Sequence, residues 1–85
     1  MASYRLLIKR SAAKELEALP TTYRRRIAAK IQLLATDPRP PGGEKLSGEE
    51  KYRIRKGAYR VLYEIDDAER IVTVVRIAHR RDAYR

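Results

Sequence analysis

The chain switches between two hydrophobic periods. At 4–9, Tyr4, Leu6 and Ile8 alternate with Arg5, Leu7 and Lys9, and a period of two predicts a strand. The period then lengthens. Ala12, Leu16 and Leu19 recur at helical spacing, and Ser11 offers an N-cap with Lys14 and Glu15 in the next turn, so 11–19 reads as a short helix. Pro20 interrupts it. Pro20-Thr21-Thr22 opens a second helix that runs to about Thr36. Ile27, Ile31, Leu34 and Ala35 form its buried stripe, while Arg24, Arg25, Lys30 and Gln32 point elsewhere.

The stretch 37–43, Asp-Pro-Arg-Pro-Pro-Gly-Gly, is a loop by composition, continued by Lys45 to Glu49. Three strands follow at about 51–55, 59–65 and 71–78. Their turns are Lys56-Gly57-Ala58 and Asp66-Asp67-Ala68-Glu69. Such short connections force antiparallel neighbours. The expected fold is a single α+β domain over 1–85, ordered β-α-α-β-β-β. It is an antiparallel sheet with a helical hairpin packed on one face. Alternation then puts Tyr52 and Ile54 on one face and Arg53 and Arg55 on the other, and the hairpin returns Arg60 to their neighbourhood.

Composition sharpens this picture. The 85 residues carry a net charge of +9, from twenty Lys plus Arg against eleven Asp plus Glu. A charge this large on a short chain implies a polyanionic partner. Nucleic acid, an acidic protein and an anionic membrane are the candidates; the cations are scattered and form no long basic amphipathic helix, so a membrane surface fits least well. No signal peptide or transmembrane stretch is visible, and the expected location is the cytoplasm. All six aromatic residues are tyrosines, and some of them are expected at the core edge with wet hydroxyls.

Several chemistries drop out. The absence of cysteine excludes disulfides, thiolate metal sites and a cysteine nucleophile. There is no phosphate-binding glycine loop ending in Lys-Ser or Lys-Thr. A single histidine excludes an acid–base pair of histidines and argues against a zinc site. Asp66-Asp67 reads as a solvated turn rather than a metal site, and no cofactor is expected. Arg24-Arg25-Arg26 reads as a solvated or partner-binding helix face.

What remains is arginine, tyrosine and His79. Arg53, Arg55, Arg60, Arg80 and Arg81 can bind phosphate bidentately and stabilise the charge that develops during RNA cleavage. Lys56 adds a further cation beside them. Such a site needs no metal, because the RNA 2′-hydroxyl is its own nucleophile. His79, with an ordinary pKa near ~6.5, suits proton transfer. Tyr84 can stack on a base or donate a proton to the leaving oxygen. Taken singly, each arginine reads as a solvated sheet residue; the set together favours an RNA site.

The chain resembles the RelE family of bacterial and archaeal toxins, within the RelE/ParE superfamily. The resemblance is carried by Lys14-Glu15-Leu16, Leu19-Pro20, Asp37-Pro38-Arg39-Pro40, Lys45-Leu46 with Gly48, Tyr52-Arg53-Ile54-Arg55, Gly57-Ala58-Tyr59-Arg60-Val61-Leu62-Tyr63 and His79-Arg80-Arg81-Asp82-Ala83-Tyr84. It implies a type II toxin held by an acidic, partly disordered, RelB-like antitoxin. It implies mRNA cleavage in the ribosomal A site without metal, and operator DNA binding only by the toxin–antitoxin complex. By resemblance, the catalytic set is Arg53, Arg55, Arg60, Arg80 and Tyr84, with His79 where some relatives place a catalytic histidine. Some RelE-type enzymes have lysines where Arg53 and Arg55 stand. Arginine stays protonated, with a pKa above ~12, so the general base falls to His79, Glu64 or ribosomal RNA, or charge stabilisation carries most of the rate. Two other readings share the fold: a ParE-like gyrase poison without nuclease activity, and a basic module acting only in complex with its antitoxin.

Overall fold

The computed structural model describes residues 3–46 and 51–79. In chain order the elements are β1 (Arg5–Ile8), α1 (Arg10–Glu17), α2 (Thr21–Leu33), β2 (Glu44–Lys45), β3 (Lys51–Lys56), β4 (Tyr59–Asp66) and β5 (Ile71–His79). They build an α+β fold with a five-stranded sheet of order β1-β5-β4-β3-β2.

The sheet is mixed, not wholly antiparallel. The β3–β4 and β4–β5 hairpins are antiparallel, as their short turns require, and β2 joins β3 in the same sense. But β1 lies parallel to β5, pairing Arg5 with Ile71 through Ile8 with Val74. Both helices and a long loop separate β1 from the other strands, so no tight turn dictates its direction. The two-residue strand β2 was also not expected, because it sits inside a stretch rich in Pro and Gly.

The helices begin where backbone bonds allow. Lys9, not Ser11, is the N-cap of α1, and Ser11 makes no capping bond. The amide of Lys9 donates to the Val74 carbonyl and its own carbonyl accepts from Ala13, so the chain passes from sheet to helix in one residue. Pro20 caps α2. The Tyr4 amide donates to the Ala35 carbonyl at 2.7 Å, tying the start of β1 to the end of α2.

Ala12, Ile27, Ile31 and Leu34 of the helical layer pack on Tyr52, Ile54, Val61, Tyr63, Ile65, Val72, Val74 and Ile77 of the sheet. Two tyrosines, Tyr52 and Tyr63, belong to the core itself. Tyr63 is fully buried, stacks on Tyr52 at 5.8 Å, and donates its hydroxyl to the Pro38 carbonyl at 2.8 Å. Burial pushes its pKa up to about 12.

The Asp66–Asp67 turn is likewise more than solvated surface. Asp67 accepts from the Arg39 guanidinium at 2.8 Å and from the Tyr4 hydroxyl at 2.7 Å. These hydrogen bonds, Arg39's first, bring its carboxyl down to about 2. Arg39 also donates to the Tyr52 hydroxyl, so one guanidinium clasps the 37–43 loop to the sheet.

Candidate nucleic-acid interface

The register of β3 and β4 decides which cations meet. Gly57, at φ +61°, closes the hairpin in two residues. Lys56 then faces Tyr59, Arg55 faces Arg60, Ile54 faces Val61 and Arg53 faces Leu62. Residues directly opposite share a sheet face. Arg53, Arg55 and Arg60 therefore lie on the face away from the helices, as the alternation predicts. Lys56 does not. It falls on the helix side, where it borders a cleft with Arg26, Ala29, Lys30 and Leu33 of α2.

The three arginines differ in environment. Arg55 is exposed. Arg53 keeps 19% of its side chain exposed and donates through Nη2 to the Glu44 carboxylate, which sits opposite it on β2. That bond holds the Glu44 carboxyl below its usual range. Arg60 was expected to be exposed, yet only 4% of it reaches solvent. It sits in the central strand β4, flanked by Arg55 on one side and Ala78 on the other. The burial reaches its head group as well as its stem, since Nε and Nη1 are both covered.

Two guanidinium groups opposite each other on neighbouring strands repel, and an anion placed between them relieves that repulsion. Phosphate matches their bidentate donors. Glu64 lies further along the same face, opposite Lys51 on β3 and Thr73 on β5. It lies on the arginine face, as does Glu44.

His79 leaves the sheet on the other side. It pairs with Tyr59, and its ring meets the Tyr59 ring edge-on at 5.5 Å. Tyr59 in turn packs against Tyr23 of α2 at 5.2 Å. The sequence grouped His79 with the arginines; the register puts its neighbour Ala78, not His79, beside Arg60. Arg80, Arg81 and Tyr84 lie outside the described residues.

Two carboxylates near this site gave no sequence signal of their role. Glu44 belongs to a strand too short to show a period. Glu15, on α1, accepts a hydrogen bond from the Ile77 amide at 2.9 Å and lies 3.7 Å from Arg76 Nε. Its partner is sixty-two positions away in sequence, so no local pattern could reveal it.

Among the described residues, no group of three or more His, Cys, Asp or Glu is placed to hold a metal ion. Nor is any described helix long and apolar enough to cross a membrane.

Comparison with known proteins gives a consistent set of likenesses. The profile of the ParE toxin of the type II toxin–antitoxin system parDE matches residues 6–84. RelE1 of Methanocaldococcus jannaschii is 32% identical over 82 residues, covering 92% of this chain and 91% of that one. Toxin RelG of Mycobacterium tuberculosis is 47% identical over 34 residues, spanning 40% of this chain and 39% of its own length. The archaeal RelE–RelB complex from Pyrococcus horikoshii OT3 superposes with a TM-score of 0.84 at 28% identity, covering 94% of this chain and 98% of that one.

Proposed function

The chain belongs to the ParE toxin family of type II toxin–antitoxin systems, within the RelE/ParE superfamily, and we propose that it acts as a RelE-type, ribosome-dependent mRNA endoribonuclease. The observation that carries this reading is the pairing of Arg55 with Arg60, with Arg53 beside them, on the sheet face away from the helices. Likeness to RelE-named proteins along nearly the whole chain favours cleavage over gyrase poisoning.

The reaction balances without an added co-reactant. The 2′-oxygen of the mRNA attacks the adjacent phosphorus, and the bond from phosphorus to the 5′-oxygen breaks. The products are a 2′,3′-cyclic phosphate and a 5′-hydroxyl. The proton lost by the 2′-hydroxyl goes to a base, and the leaving oxygen takes one from an acid. Arg55 and Arg60 neutralise the extra charge on the phosphoryl oxygens, and Arg53 and Arg80 extend the clamp. Arg81 holds flanking RNA, and Lys56, on the helix side of the hairpin tip, can reach RNA only where the strand passes around that tip. Tyr84 stacks on a base or protonates the leaving oxygen. Arginine is already protonated at neutral pH and has no lone pair free to take the first proton. Glu64, which lies on the arginine face, and His79, which does not, are the protein's candidates beside ribosomal RNA.

The partner that restrains this activity is an acidic, partly disordered, RelB-like antitoxin. Its negative charge complements the arginine face, and a solved structure that this chain resembles is a RelE–RelB complex. Operator DNA is bound only by that complex. Ribosomes place the activity in the cytoplasm. The alternative, a gyrase poison, draws on the ParE profile. Adding the purified protein to programmed ribosomes and mapping mRNA ends separates the two. Cuts within the A-site codon support the nuclease; intact mRNA beside trapped gyrase–DNA cleavage complexes supports the poison.

A further inference from the structure

We infer that Glu15 is a positioning residue for the end of β5, and through it for His79 and the neighbours of Arg60; the functional half of this inference rests on the nuclease reading. The need for such a residue follows from the sheet. Strand β1 stops at Ile8, opposite Val74, and the chain turns at once into α1. From there on, among the described residues, β5 has β4 on one side and no strand on the other.

The register also slips at this point. Tyr63 pairs with Val74 and Leu62 with Arg76, so Val75 is skipped. A bulge bends a strand and breaks its ladder, which makes the next residues the easiest part of β5 to displace. Those residues are Ile77, Ala78 and His79. Ala78 flanks Arg60, and His79 meets Tyr59.

Glu15 supplies the missing partner. Its Oε1 takes the Ile77 amide at 2.9 Å, and its Oε2 faces Arg76 Nε at 3.7 Å. A half-buried carboxylate on a backbone amide is a charge-assisted bond, stronger than a neutral one. The carboxylate therefore does what a further residue of β1 would do. It fixes the strand after the bulge and holds the slipped register. One residue of slip would exchange the faces of Ala78 and His79, and move the ring that rests on Tyr59.

The test uses the purified chain and three variants. Glu15→Ala removes the acceptor. Glu15→Gln keeps an acceptor at the same reach. Glu15→Asp keeps the charge but withdraws the oxygens by one methylene, and repeats the test should the alanine variant not fold. Glu17→Ala, on an exposed residue of the same helix, is the control. Exchange of the Ile77 amide should speed up about tenfold or more in Glu15→Ala and Glu15→Asp, the factor set by losing one charge-assisted bond.

The His79 ring resonances should move in the same variants, because the Tyr59 ring current reports their contact. Cutting of mRNA on ribosomes should lose kcat at unchanged KM, and Glu15→Gln should restore both readouts. Unchanged Ile77 exchange in Glu15→Ala and Glu15→Asp would overturn the inference. So would faster exchange with His79 resonances and kcat as in the wild type, which would make Glu15 a fold contact only. If the wild type cuts no mRNA, the nuclease reading fails, and the His79 resonances decide the positional claim alone.

Discussion

Arg53 and Glu44 face each other across the β2–β3 pair, and the arginine's Nη2 donates to the carboxylate. An arginine proposed to hold RNA phosphate is thus already engaged by an anion of its own chain. On the proposed function, Glu44 would compete with RNA for Arg53. Glu44→Gln should therefore tighten binding of a short single-stranded RNA and steepen its salt dependence. One phosphate contact adds about −0.7 to the slope of log affinity against log salt. Fluorescence anisotropy across a salt series measures both. Equal slopes in the two proteins would remove Arg53 from the RNA site.

Arg55 and Arg60 should part company when each is replaced by alanine. Arg55 is exposed, so Arg55→Ala should leave stability within about 0.5 kcal/mol while flattening the salt slope by about 0.7. Arg60 is 4% exposed, and Arg60→Ala should cost about 1–3 kcal/mol as well as RNA affinity. Urea denaturation of the two variants checks the difference. An Arg60→Ala variant of wild-type stability would contradict its placement within the sheet.

The Arg39–Asp67 clasp predicts acid sensitivity. Asp67 has a folded pKa of about 2, below its ordinary 3.8. A lowered carboxyl pKa stabilises the fold above the ordinary value and loses that contribution as pH falls through the folded one. The melting temperature of the wild type should drop between about pH 4 and pH 2, and Asp67→Asn should show a shallower drop there. Parallel curves would mean that the clasp adds nothing.

Tyr63 predicts the opposite limit. Its folded pKa, near 12, lies above the usual 10.0. A raised tyrosine pKa leaves stability intact below the ordinary value and lost as pH climbs from about 10 to about 12. Tyr63→Phe removes the bond to Pro38 and should cost about 1 kcal/mol at neutral pH. It should also remove part of the alkaline loss. Denaturant titrations at pH 7 and above pH 10 read the two effects.

The parts of this fold that were legible in the sequence are those with a period. Alternation in β3 put Arg53 and Arg55 on one face, and short turns fixed the antiparallel order of β3, β4 and β5. The stripe of Ile27, Ile31 and Leu34 marked the buried side of α2. What escaped depends on contacts between distant segments. The parallel docking of β1 on β5, the Glu15–Ile77 bond and the Tyr63–Pro38 bond join residues with no local pattern in common. The slipped register in β5 is the sharpest case. Simple alternation cannot show it, and it is what separates His79 from the arginines.

The central claim is that the mRNA's own 2′-hydroxyl is the nucleophile, held by the arginine face. Its most direct test is a programmed ribosome carrying mRNA with a single 2′-deoxy nucleotide at the mapped cut site. The account predicts that the all-ribose mRNA is cut to a 2′,3′-cyclic phosphate and a 5′-hydroxyl, and that the deoxy mRNA stays whole. Equal cutting of both messages would contradict it, as would an uncut all-ribose message under conditions where the protein traps gyrase on DNA.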